Sequence, residues 1–116
     1  MARVVAYVPD LLFGSNVLAQ LNGRGHETVL VAGLEPLRAA LPDAEAVVVD
    51  LTADAEERIE HLRACRPVGV PTLAFYSHVE ADVRELAQRA GFDLVVPRSR
   101  MAREGARLLD GLVAAR

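Results

Sequence analysis

Ala46-Val47-Val48-Val49-Asp50-Leu51-Thr52 is the stretch on which the fold turns. Four apolar residues, three of them β-branched, lead directly into an aspartate. An unbroken apolar run too short for a helix fits a strand covered on both faces, whereas a half-exposed strand alternates apolar and polar positions. Working outward, similar runs recur at Val4 to Val8, Val29 to Val31, Thr72 to Tyr76 and Leu94 to Val96. Between them lie segments with helical period. These are Val17, Leu18 and Leu21 before Gly23 and Gly25; Ile59, Leu62 and Cys65 within residues 54–66; and Val83, Leu86, Ala87 and Ala90 before Gly91. Met101, Leu108, Leu109, Leu112 and Val113 mark a terminal amphipathic helix, and each segment can bury one stripe.

Local punctuation agrees with this alternation. Asp54 followed by Glu57 is a capping pattern that starts a helix near residue 55, and Gly91 can take the left-handed conformation that closes one. Pro67 and Pro71 bracket the loop before the fourth strand, while Pro36 and Pro42 leave only Leu37 to Leu41 for a second helix of one or two turns. Five strands alternating with five helical segments, joined by right-handed crossovers, require a parallel sheet with helices on both faces. The expected architecture is α/β: a three-layer αβα, flavodoxin-like fold with a five-stranded parallel sheet in the order 2-1-3-4-5.

The 116 residues are 52% hydrophobic and 25% charged, which fits a single globular domain over residues 1–116 with no output domain. A formal charge of −3 argues against nucleic acid as a partner. One cysteine, Cys65, excludes an internal disulfide, and His26, His61 and His78 show no metal-ligand spacing. With no bilayer-length apolar run and no signal peptide, the expected location is cytoplasmic, away from the membrane.

In a doubly wound sheet, function belongs outside the carboxyl ends of the strands. Those ends read Val8-Pro9-Asp10, Val49-Asp50, Phe75-Tyr76-Ser77-His78 and Val96-Pro97-Arg98. Two carboxylates, hydroxyls and a guanidinium sharing one crevice make a phosphate-handling layout. Asp10 and Asp50 could hold a hard divalent ion, either could accept a phosphoryl group, and Arg98 would compensate the charge.

The whole chain resembles a receiver domain of two-component response regulators. The resemblance rests on Asp50 after the third strand, on the Pro-led strand Pro71-Thr72-Leu73-Ala74-Phe75-Tyr76-Ser77, and on Ala90-Gly91-Phe92-Asp93 followed by Val95-Val96-Pro97-Arg98. The first helix also ends like the family's, in Gly25-His26-Glu27-Thr28-Val29. The resemblance implies a phosphoacceptor at Asp50, Mg2+ held by Asp10 and Asp50, a switch hydroxyl at Ser77 or Tyr76, and Arg98 in place of the family's lysine. It also implies a histidine kinase or a downstream signalling protein as partner. The chain departs from the pattern in having a single carboxylate after the first strand, in Arg98 for lysine with Ser99 following, and in Leu51-Thr52-Ala53-Asp54 after the phosphoacceptor. It therefore resembles an atypical, degenerate or pseudo-receiver.

Two other classes compete. One is a small-ligand or nucleotide/flavin-binding flavodoxin-like domain that uses the loop 10–16 as a phosphate seat, with Phe13-Gly14-Ser15-Asn16 at a helix start. The other is a structural domain that homodimerises through its terminal helix. Plainer roles compete at single residues as well: Asp50 and Asp10 as strand-end or capping acids, Ser15 or Asn16 as a cap, His78 at the surface, and Cys65 as a small core residue.

Overall fold

The computed structural model describes residues 2–65, 68–77 and 79–115; Pro67 and His78 lie outside them. Five parallel strands, β1 (Arg3–Tyr7), β2 (Glu27–Val31), β3 (Ala46–Asp50), β4 (Thr72–Tyr76) and β5 (Leu94–Pro97), form one sheet in the order 2-1-3-4-5. β3 and β4 lie buried along their whole length, as unbroken apolar runs require. The register places Val48 beside Ala6 and Leu73, and Asp50 beside Phe75.

Helices α1 (Leu11–Gly23) and α5 (Arg98–Ala114) cover one face, where Val17, Leu21, Met101 and Leu109 pack on Val4, Val48 and Phe75. Helices α2 (Leu34–Ala40), α3 (Ala55–Cys65) and α4 (Ala81–Arg89) cover the other, where Leu37, Ile59, Leu62, Val83 and Ala87 pack on Val5, Val47, Val49 and Ala74. Each fully buried Val or Leu side chain stabilises the fold by about 1.5–3 kcal/mol relative to exposure. Because every strand runs the same way, the N-termini of α1, α3, α4 and α5 all gather at the carboxyl edge of the sheet.

Gly25 and Gly91 close α1 and α4 at φ 88° and 86°, where a side chain would be strained. After α1, the His26 amide donates to Leu21 O and the Gly25 amide to Asn22 O, a Schellman closure. At the amino edge, the Ala2 amide donates to His26 Nδ1 at 3.0 Å. That bond leaves the ring proton on Nε2, which donates to Asp110 Oδ1 at 2.6 Å. Arg24 Nη2 reaches the other Asp110 oxygen at 2.7 Å. The start of β1, the end of α1 and the last turns of α5 are thereby joined.

Three local expectations are corrected. The second helix starts at Leu34, and Leu41–Asp43 adds a 3-10 turn, because Pro36 falls in the first turn, where its missing N–H has no intrahelical acceptor to lose. Residues 10–16 are not a loop. α1 begins at Leu11 with Asp10 as its cap, so Ser15 and Asn16 lie inside the helix, where Ser15 Oγ donates to Leu11 O and Asn16 Oδ1 accepts from Gln20. Asp54 precedes α3 as expected, and its carbonyl accepts from the Arg58 amide, but its backbone stands at φ 49° rather than in the extended conformation of a side-chain cap.

Candidate functional site

The valine run of β3 carries Asp50 to the carboxyl edge and then buries it, leaving 2% of the residue exposed, while Leu51 turns back into the core. Asp50 Oδ1 accepts from the Thr52 amide at 2.7 Å and from Thr52 Oγ1 at 2.5 Å. Oδ2 faces Arg58 Nη1 at 3.6 Å, and the same Nη1 donates to the Asp50 carbonyl at 2.8 Å. Arg58 comes from the first turns of α3, is buried itself, and lies over the Tyr7 ring at 5.9 Å. It also approaches Asp54 at 3.9 Å. Tyr7 Oη shares a 2.9 Å hydrogen bond with His61 Nδ1, and the two rings stack 6.1 Å apart. Burial pushes the Tyr7 phenol above its ordinary value against the pull of Arg58, so the hydroxyl keeps its proton.

The other expected site residues go elsewhere. Asp10 is exposed, and its Oδ1 accepts from the Phe13 amide at 2.9 Å, which is the work of a helix cap. Arg98 is exposed at the first position of α5, with its guanidinium 5.2 Å over the Phe13 ring. Phe13 in turn packs on Phe75 at 4.8 Å. Arg98, Ser77, Ser99 and Phe13 border a hollow of about 420 Å³, and Arg98, Asp10, Leu12 and Asn16 border a second of about 260 Å³ beside it. Asp50 borders neither. Tyr76 is buried in the layer under α3 and α4, so the strand-tip hydroxyl next to Arg98 is that of Ser77.

The trio Asp10, Asp50 and Arg98 therefore does not share one hollow, and Arg58, not Arg98, compensates Asp50. Sequence reasoning missed Arg58. Its signal was its place on the apolar stripe of the third helix, one position before Ile59 and four before Leu62, where an arginine enters the core only beside an acid. Among the described residues, no group of three or more His, Cys, Asp or Glu side chains is gathered as a metal site. Cys65 packs at the edge of the core, its Sγ donating to the His61 carbonyl, and burial pushes the thiol up, away from the reactive thiolate.

Comparison with solved structures places this arrangement on a known fold. A response regulator receiver protein from Burkholderia phymatum superimposes with a TM-score of 0.81 at 20% identity, covering 98% of this chain and 96% of that one. The receiver domain of the Francisella response regulator 1452 gives 0.81 at 12% identity, over 99% and 98% of the two chains. The receiver domain of the sensor histidine kinase PA1611 from Pseudomonas aeruginosa, described with a magnesium ion coordinated in its active-site cleft, gives 0.78 at 18% identity, over 97% and 98%. No sequence-family profile matches the chain, and no curated protein does. The protein has the flavodoxin-like fold of response-regulator receiver domains. Among the described residues, no helix is long and apolar enough to cross a membrane.

Proposed function

We propose that this chain is a signalling module on a receiver scaffold, a binding protein and not an enzyme. It acts through contacts with another protein, in a conformation held by Arg58 instead of by phosphorylation. One observation carries this reading: the Asp50 carboxylate is buried, with Thr52 on one oxygen and Arg58 facing the other. In-line attack on a phosphoryl donor needs a free carboxylate oxygen pointing at the phosphorus and cations gathered around the three equatorial oxygens. Here a guanidinium already neutralises the acid from within the fold. Magnesium, described in the cleft of the Pseudomonas neighbour, is consistent with the scaffold. In this chain Asp50 and Asp10 would be the residues to hold it, but Asp50 already accepts from Thr52 and faces Arg58, and Asp10 is engaged with the Phe13 amide.

The competing reading keeps Asp50 as phosphoacceptor, with Ser77 and Arg98 as its strand-tip partners and a histidine kinase as donor. It is favoured by the position of Asp50 at the tip of β3, between β1 and β4. Incubation with magnesium and acetyl phosphate, read by intact mass, decides between the two, with amide chemical shifts in beryllofluoride as a second measurement. The expected result is that wild type and Asp50→Asn respond alike, with no phosphoryl mass gained. A gain in wild type that Asp50→Asn loses overturns the constitutive reading.

A further inference from the structure

The carboxyl edge of the sheet is polarised in a way that Asp50 does not explain. On the layer of α1 and α5, Leu11 and Leu12 are 88% and 86% exposed, adjacent residues on the first turn of α1. Neither belongs to the stripe of Gly14, Val17 and Leu21 that seats this helix. Single exposed leucines are ordinary on protein surfaces, but two side by side leave a continuous apolar step in water. Arg98 borders the hollow under Leu12, and Arg103 lies exposed further along α5.

On the opposite layer, a groove of about 540 Å³ runs between the N-terminal turns of α3 and α4. Its apolar lining is Ala55, Val83 and Leu86, and the other lining residues are the acids Asp54, Glu56, Glu57, Glu80 and Asp82. Among the described residues, no basic one lines it. Five like charges around an apolar floor repel one another and attract an apolar ridge flanked by cations. The same edge of the same molecule supplies that ridge.

We propose that a second copy of this chain docks on the carboxyl edge through a two-fold contact. Leu11 and Leu12 of each protomer enter the groove between α3 and α4 of its partner, and Arg98 of each faces the acidic rim of the other. Because the two complementary halves share one edge of the molecule, a two-fold axis satisfies both at once, and such an association closes at two. Burying the leucines drives the contact, and the charges fix its register. The contact is independent of the chemistry of Asp50, so it stands or falls apart from the function proposed above.

Analytical ultracentrifugation of the full chain over an approximately hundredfold concentration range tests this, since association follows mass action. The expected result is a reversible dimer that weakens as salt rises. Leu11→Ser/Leu12→Ser, at exposed positions that leave the core intact, should raise the dimer Kd by about tenfold or more with an unchanged circular dichroism spectrum. Arg98→Glu and Glu57→Arg/Glu80→Arg should each be monomeric. An equimolar mixture of the two should form a heterodimer, because each remaining contact then pairs opposite charges. A wild type that stays monomeric throughout overturns the proposal, as do variants that dimerise as tightly as wild type or association that continues past two.

Discussion

A carboxylate removed from water without a counter-charge costs several kcal/mol, and this decides what Arg58 does for Asp50. The two side chains retain 11% and 3% of their exposure, so little solvent screens them. Arg58→Ala should destabilise the protein by about 3 kcal/mol in urea denaturation, because it strands the acid in the core. Adding Asp50→Asn should recover part of that loss, since a neutral amide tolerates burial at lower cost. A loss within about 0.5 kcal/mol for Arg58→Ala would mean that the pair is ornamental. Asp110 gives a second residue-scale expectation. The hydrogen bond from His26 holds its carboxyl below the ordinary 3.8, with Arg24 adding to the effect and burial opposing it. A depressed folded value stabilises the native state above pH 3.8, and this contribution drains away as pH falls through the lower folded value. Acid titration of stability should therefore show wild type above Asp110→Asn at neutral pH, with the gap closing below pH 3.8. Asp50 was legible in the sequence because a valine run leads straight into it. Its partner was not, because pairing eight residues along depends on how the chain turns at Asp54, whose φ of 49° an aspartate tolerates but does not dictate.

At the scale of elements, apolar runs located the five strands and helical period located α1, α3, α4 and α5, since apolar burial sets both patterns; α2 was placed only by its prolines, and its bounds differ. Helix starts were less legible. The tetrad Phe13-Gly14-Ser15-Asn16 resembles a capping region, but an acid earlier in the chain, Asp10, takes the cap and adds a turn carrying Leu11, Leu12 and Phe13. That extra turn lays Phe13 between Phe75 and Arg98, which is why the arginine belongs to the aromatic ring and not to Asp50. In α5, a methyl group added at Gly111 would meet nothing within 4 Å, whereas one added at Gly105 would stand 2.8 Å from Met101 Cε. Gly111→Ala should raise stability by about 0.5–1 kcal/mol through helix propensity alone. Gly105→Ala should gain less or lose, because Met101 is fully buried and must shift. Thermal melts of the two variants compare them directly, and equal gains would show that α5 packs more loosely than its burial pattern implies.

For the whole molecule, strand order and layers followed from the βα alternation, because right-handed crossovers leave few ways to cover both faces. What composition could not convey is the division of charge at the carboxyl edge. The net charge of −3 averages over an acidic groove and an arginine-bearing helix start that lie on opposite layers. Ultracentrifugation with the charge-reversed pair probes that division, and recovery of association on mixing is its most direct signature.

The hydrogen-bonded relay from the Ala2 amide through His26 to Asp110 brings the outset of the first strand beside the closing turns of the final helix. Any polypeptide continued from either terminus would therefore leave at the rim farthest from Leu11, Leu12 and the acidic groove. An appended tag or neighbouring module could ride there while the opposite pole stays clear for whatever it meets.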